Sequence, residues 1–309
     1  MLHPLSSTLM SDSNDPAATA AGLVRLLTVT PDAAAGPDLF TGPRKPGGVG
    51  RVFGGQIVAQ ALAAAQATVA ADRPVHSLHA YFLRAGSEDA DTRYTVMRDF
   101  DGGNFANRRV VASQGDAPIF TMTASFHRRS EGGEAKALQH GLPMPSVPSP
   151  DDLPSEADLL TIYADRLSEQ RRALLSRPRA IEMRPAEPLN WLRETPAEPV
   201  AHTWLRCVAP LPDDPALHRA VIAYVSDMTL LGTSLLPHGI SGKAGSAQVA
   251  SLDHALWFHA DARADQWLLY ACDSPWAGDM RGFSRGRIFT QDGRLVAETA
   301  QEGLVRRRA

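Results

Sequence analysis

Apolar residues along the chain change their period twice, in the same order each time. In QIVAQALAAAQATV (56–69), Ile57, Val58, Ala61, Leu62, Ala65 and Val69 recur at helical spacing directly after Gly54 and Gly55. The many alanines make this helix slim, so a curved sheet can approach its axis from more than one side. Alternating segments then predict strands at about 76–84, 92–99, 106–114 and 118–127, with QGDAP (114–118) as the hairpin turn between the last two. Later, a helical pattern over 215–236 is stopped by Pro237, His238 and Gly239, and strands are predicted at about 248–258, 266–274, 283–291 and 295–306, with TQDGR (290–294) as their last turn. VHSLHAYFL thus lies where VASLDHALWF lies in the second half. Ser77 and Ser251 are 174 positions apart, and Ala124 and Gln301 are 177 apart. The near-equal offsets predict an internal duplication, with one half at 21–128 and the other at 199–309.

The pattern is lost between the halves. Residues 129–198, with EGGEAKALQHGLPMPSVPSPDDLP, are rich in Gly, Pro and charge and read as a linker. Within it, Leu159, Leu160, Tyr163, Leu167 and Leu174 fall on a helical repeat that predicts a helix packed on the outside. At the other end, residues 1–20 have neither a basic stretch nor a continuous apolar one, and are expected to form a disordered leader on a cytoplasmic protein.

Composition narrows the function. At 309 residues and 44% hydrophobic content the chain can bury a large core. Its 31 basic and 34 acidic residues are interspersed and sum to a charge of −3, which gives no reason to expect a nucleic-acid partner. No run reaches the roughly 18 uninterrupted apolar residues of a membrane span, so no membrane partner is expected. Cys207 and Cys272 sit in no metal-binding pattern and are expected to be free, buried thiols. His254 and His259 lack a third ligand at a suitable spacing, so no metal is expected. GISGKAGS (239–246) is not a phosphate loop, because Pro237 stands at the place of its first glycine and Ala244 at the place of its hydroxyl residue. There is no GxSxG.

What remains are three polar residues interrupting apolar segments: Asp227 in YVSDMTLL, Ser251 in VASLDHALWFH and Gln301 in ETAQEGLVRR. An acid, a hydroxyl and an amide can together hold and activate one water molecule, which suggests hydrolysis without a Ser–His nucleophile. Taken singly, each has an ordinary reading: Asp227 as a cap at a helix break, Ser251 as a strand hydroxyl bonded to backbone, and Gln301 as an edge-strand amide.

The segments RVFGGQIVAQAL (51–62), VHSLHAYFLRAG (75–86), NFANRRV (104–110), IEMRP (181–185), AYVSDMTLLGTSLLPHG (223–239), SLDHALWFH (251–259) and RGFSRGRIFTQDGRLVAETAQEG (281–303) follow one another in an order that resembles the acyl-CoA thioesterase II family. The resemblance covers roughly residues 20–309. It implies an α+β double hotdog, in which two long helices are each wrapped by an antiparallel sheet and the sheets are joined. It also implies hydrolysis of acyl-CoA without a cofactor, with the catalytic positions falling on Asp227, Ser251 and Gln301. Asn104 departs from the family, where a serine is common. The counterpart of Asp227 in the first half is expected near Gly54 and Gly55, and that of Gln301 near Ala124. The first half would then complete the acyl pocket and supply backbone donors from Gly54 and Gly55, while Arg281, Arg285 and Arg287 read either as contacts for the phosphates of coenzyme A or as a solvated strand edge.

For such a reaction Asp227 would orient and deprotonate water while Ser251 and Gln301 fix it; direct attack by Asp227 through an anhydride uses the same residues. Burial beside Met228, Leu230 and Leu231 is expected to raise the Asp227 pKa. The rival readings are a hotdog enoyl-CoA hydratase, which needs a histidine beside the acid, and a non-catalytic acyl-CoA-binding module. Chains are expected to associate as a dimer or tetramer.

Overall fold

A computed structural model describes residues 15–34, 36–45, 50–128, 138–167, 169, 172–173, 177–189, 195–240 and 247–307. The Asp15 carboxylate accepts from the amides of Ala17 and Ala18 and so caps α1 (Pro16–Leu27), with Pro16 at a first position where a missing N–H is harmless. Positions 16–20, assigned above to a disordered leader, are therefore the opening turns of a helix that buries Ala20, Leu23, Leu26 and Leu27. The Asp-Pro start signal was in the sequence and outweighs the polar composition around it.

After β1 (Thr30–Pro31) and β2 (Leu39–Gly42) comes α2 (Gly54–Gln66), buried on nearly every side. β3 (Val75–Phe82), β4 (Thr92–Asp101), β5 (Phe105–Gln114) and β6 (Ala117–His127) wrap it. Arg108, from NFANRRV, is 1% exposed and closes the C-terminal end of α2 by donating to the Thr68 hydroxyl and carbonyl and to Asp101. The predicted outer helix is cut short: α3 (Glu156–Ile162) is held by a capping box between Ser155 and Asp158 and gives way to a 3-10 turn at Ala164–Arg166. Leu174 and residues 241–246, including Ala244, lie outside the described residues.

The second half repeats the plan with β7 (Ile181–Pro185), β8 (Val200–Cys207), α4 (Pro215–Ser226), β9 (Ala247–Ser251), β10 (Asp253–Phe258), β11 (Leu268–Gly278), β12 (Arg281–Thr290) and β13 (Leu295–Arg307). β7 falls inside the expected linker but pairs with β8, so this half begins earlier than 199. All strands join one antiparallel sheet in the order β1-β2-β4-β5-β6-β3-β10-β13-β12-β11-β8-β7, with β9 also on β13. Outward from the β3–β10 seam, both halves run through the same series of strands, which is the double hotdog. At the seam Leu78 lies opposite Leu256, both fully buried. Each contributes about 1.5–3 kcal/mol by leaving water.

The hairpins fix the internal symmetry: β5 and β12 are ten residues each and end at Gln114 and Thr290, an offset of 176. Arg108, which faces Ala124, then matches Ser284, which faces Gln301, so Ala124 is the counterpart of Gln301, as the offset of 177 has it. On the neighbouring ladders Val75 faces Phe126 and Ser251 faces Gly303, which lies 177 positions beyond Phe126, so the counterpart of Ser251 is Val75 and not Ser77. The helices α2 and α4 pack antiparallel: a Cβ on Gly55 would meet the Tyr224 carbonyl, whereas Gln66 at the other end donates to the Ala216 carbonyl. Like ends correspond, so Asp227 matches the region of Gln66 and Ala67. Gly54 and Gly55 are its neighbours across the symmetry axis, not its counterparts.

Cys207 and Cys272 are buried free thiols. Pro215–His238 has the length and apolarity to cross a membrane, but 67% of its most apolar window is buried as the second half's core.

Candidate active site

Two interruptions in regular structure bring the three polar residues together. The helical pattern over 215–236 breaks after Ser226, where Asp227 is the C-cap of α4 (φ −91°, ψ −3°), and resumes as a 3-10 helix over Leu231–His238 that ends at left-handed Gly239. The strand predicted over 248–258 also breaks. Ser251 faces Gly303 on β13 and Ala255 faces Ala300, so four steps on one strand match three on the other, a β-bulge at Leu252–Asp253. The Asp253 carboxylate holds it by accepting from the Glu302 amide at 2.5 Å.

The bulge decides where Ser251 points. On β10, His254, Leu256 and Phe258 are buried and Ala255 faces away, so an unbroken strand would also turn Ser251 away from the helices. The extra residue reverses the parity and sets Ser251 opposite inward-facing Gly303, on the side where Gln301 lies.

The Asp227 Oδ1 accepts from Gln301 Nε2 at 2.5 Å and from Ser251 Oγ at 3.3 Å, and Gln301 Nε2 also reaches Ser251 Oγ at 3.1 Å. Gln301 is fully buried, and its Oε1 has no hydrogen-bond partner among the described residues. The Gly55 amide, at the N-terminus of α2, donates to the Asp227 carboxylate. Antiparallel packing thus sets the positive end of one helix dipole beside an acid at the negative end of the other. Gly54 is required by distance, since a Cβ there would come within 2.6 Å of Asp227 Oδ2.

Asp227 keeps limited contact with solvent as a residue, but its carboxyl group lies deep. Desolvation raises its pKa to about 6, against the opposing pull of bonds from Gln301, Ser251 and Gly55. Behind it, Ser226 is held three ways: its hydroxyl donates to the Ala223 carbonyl, His254 Nε2 meets that hydroxyl at 2.8 Å, and the Tyr270 hydroxyl donates to its carbonyl at 2.7 Å. Burial lowers the pKa of fully buried His254 to about 4, so the ring is neutral near neutral pH. Sequence reasoning weighed His254 only as a metal ligand and did not single out Ser226 or Tyr270, whose polarity inside apolar segments was the available signal. His259 pairs with Glu298.

The remaining expected site residues lie elsewhere. Arg281, Arg285 and Arg287 alternate with buried Gly282, Ser284 and Gly286, so they occupy the outer face of β12, turned from the helices. There they pair with carboxylates: Arg281 with Glu302, and Arg285 and Arg287 with Asp273. This arrangement matches the second of the two readings, an exposed strand whose arginines are ion-paired. Asn104 lies in the β4–β5 turn, where its carbonyl accepts from the Arg128 amide. A mostly apolar cavity of about 380 Å³, lined by Met183, Leu189, Leu236 and Met228, the residue after Asp227, also carries Glu156, Arg179, Glu187 and His202 on its wall.

Two helices wrapped by joined antiparallel sheets, with a desolvated Asp–Gln–Ser cluster where the helices meet, define a double-hotdog protein with a hydrolytic type of site. Residues 175–304 match the family model described as acyl-CoA thioesterase, and residues 42–127 the one described as acyl-CoA thioesterase N-terminal domain. The chain is 41% identical over 276 residues to acyl-coenzyme A thioesterase 8 of Homo sapiens, covering 87% of this chain and 85% of that one. It is 35% identical to acyl-CoA thioesterase 2 of Haemophilus influenzae over 87% of this chain and 92% of that one. The crystal structure of acyl-CoA thioesterase II TesB2 from Mycobacterium marinum superposes with a TM-score of 0.73 at 37% identity, covering 92% of this chain and 98% of the other. The chain belongs to the acyl-CoA thioesterase family.

Proposed function

We propose that this protein hydrolyses acyl-CoA to a free fatty acid and coenzyme A, with Asp227 as the base that activates water. The observation that carries the reading is the single carboxylate oxygen of Asp227 shared by Gln301 and Ser251, on an acid whose pKa is raised to about 6. Such an acid is ionised at neutral pH yet far more basic than an exposed aspartate.

Water held by Ser251 and Asp227 attacks the thioester carbonyl carbon as its proton passes to Asp227. The oxyanion is stabilised by the Gly54 amide at the start of α2, since the Gly55 amide is held by Asp227 and those of Gln56 and Ile57 by the Phe53 carbonyl. Collapse breaks the C–S bond, and the departing sulfur takes the proton back. A thiol of pKa about 8.5 leaves readily, so no separate acid is required. The apolar cavity beside Met228 takes the acyl chain. The hydratase reading loses support because His254, held against the residue before Asp227, bonds Ser226 and is too weakly basic to deliver a proton at neutral pH.

The test is free-thiol release from a series of acyl-CoA esters by the wild type and by Asp227→Ala and Gln301→Ala. Release that falls at least about a hundredfold in folded variants supports the reading; tight acyl-CoA binding without turnover by the wild type would turn it into a binding module. The reading places the protein in the cytoplasm and pairs its chains as a dimer or tetramer; a monomer in sedimentation at micromolar concentration would remove that part.

A further inference from the structure

A second cavity, of about 670 Å³, lies between α1, the segment after β2 and the start of β7, and its size is that of a small-molecule site. Arg25, Arg44, Lys45 and Arg179 line it, and none of the described lining residues is acidic. Arg179 is neutralised by Glu156 at 2.7 Å, and Arg44 donates to the Asp89 carbonyl. Arg25 and Lys45 form no ion pair among the described residues. Although Lys45 is exposed as a residue, local desolvation and the Arg179 charge lower its ammonium pKa, a sign that like charges converge here. Gathering cations without carboxylates is unfavourable in the empty protein and favourable once an anion arrives.

Other groups of arginines lack this imbalance. The cavity beside Arg263 and Arg294 also contains Asp213, Asp261 and Asp292. Arg281, Arg285 and Arg287 are matched by carboxylates along β11–β13.

The position of the basic cavity relative to the acid supplies the second argument. Met228, the residue after Asp227, lines both the basic cavity and the apolar cavity of about 380 Å³, as does Arg179. Tyr224, whose carbonyl lies against Gly55, lines the basic one. A ligand with an anionic end in one cavity and an apolar end in the other would therefore pass Arg179 and Met228, the residue next to Asp227 in the chain.

We infer that this basic cavity, built from Arg25, Arg44, Lys45 and Arg179, binds the nucleotide phosphates of coenzyme A while the acyl chain occupies the apolar cavity across Met228. The inference rests on the thioesterase reading for the identity of the anion. It assigns the phosphate-binding role to α1 and the β2–α2 segment, not to the arginines of β12. Because α1 lies outside the repeated hotdog plan, it also gives the N-terminal helix a function of its own.

The test compares one acyl chain carried on coenzyme A and on pantetheine, which lacks the nucleotide. The assay uses the full-length wild type, Lys45→Ala and the double variant Arg25→Ala/Lys45→Ala. Arg179 is left intact because its pair with Glu156 also ties α3 to the sheet. The wild type should favour the coenzyme A ester by about tenfold or more in kcat/KM, chiefly through KM, as lost charge-assisted bonds predict. The double variant should remove most of that preference, leave hydrolysis of the pantetheine ester at its wild-type value and flatten the salt dependence of KM. No preference in the wild type, or an equal loss on both esters, overturns the inference. If the wild type hydrolyses neither ester, the thioesterase reading fails, and calorimetric binding of coenzyme A decides the cavity separately: weaker binding by the double variant supports it, and equal binding overturns it.

Discussion

Gly54 and Asp227 approach so closely that a Cβ on the glycine would lie 2.6 Å from the Asp227 Oδ2. The contact comes from the antiparallel fit of α2 on α4, which brings the start of one helix to the end of the other. Gly54→Ala should therefore displace the carboxylate while the core stays folded, lowering kcat on the order of a hundredfold, the scale of a 1 Å misplacement of a reacting group. Gly55→Ala meets a backbone atom instead, the Tyr224 carbonyl. It should separate the helices and cost about 1–3 kcal/mol of stability as overpacking. Thermal melts beside steady-state rates separate the two effects, and equal melting losses in both variants would contradict the distinction.

The raised pKa of Asp227 predicts a pH profile. Activity should fall about tenfold per pH unit below about pH 6, where the base becomes protonated, and level off above it. Stability runs the other way. An acid raised from 3.8 to about 6 on folding leaves stability undiminished below the lower value and costs stability as pH rises through the upper one. Above about pH 7 that cost is at most about 3 kcal/mol, less whatever solvent contact screens. Asp227→Asn should then be inactive yet melt higher than the wild type near neutrality, with no gain below about pH 4. Melting curves at both pH values check the sign.

Gln301 and Asp227 are coupled through the same oxygen, so changes at Gln301 should be visible in that profile. The amide bond at 2.5 Å favours the ionised acid, and its loss in Gln301→Ala should move the acidic limb of the profile to higher pH and reduce kcat on the order of 10²–10³. Gln301→Glu should move the limb further, because two adjacent carboxyl groups cannot both ionise easily. An unmoved limb in both variants would mean that Asp227 is not the group titrating in the wild-type rate.

The sequence carried the wrapping of α2 and α4 because alternation and helical spacing are local, and the eight predicted strand segments lie within a few residues of the nine strands that follow the two helices, the segment over 248–258 being split into β9 and β10. It carried Asp227, Ser251 and Gln301 because polar residues stand out within apolar runs. It did not carry how they meet. The bulge at Leu252–Asp253 is a one-residue mismatch between two strands, visible only once Ala255 is paired with Ala300 and Ser251 with Gly303. The counterpart of Asp227 was misplaced for a similar reason: Gly54 is its neighbour in space, and proximity across a symmetry axis is easily mistaken for equivalence. Arg281, Arg285 and Arg287 form a conspicuous cationic run, but their partners Asp273 and Glu302 come from the flanking strands. Charge balance in a sheet is settled by register.

His254 supplies an opposing dependence. Its pKa falls from 6.5 to about 4 on folding, so it contributes stability that is fully present above the higher value and lost as pH falls toward the lower. For this buried ring the full difference is about 3 kcal/mol, similar in size and opposite in sign to that of Asp227 over nearly the same window. In the wild type the two slopes largely offset one another. His254→Gln can still meet the Ser226 hydroxyl but does not titrate, so its stability should fall more steeply than that of the wild type as pH rises from about 4 to about 6.5, exposing the Asp227 contribution. Asp227→Asn should show the reverse slope, and the doubly substituted protein neither. Denaturant unfolding of all four proteins across that range measures the cycle, and parallel curves would show that neither group is coupled to folding as its burial requires.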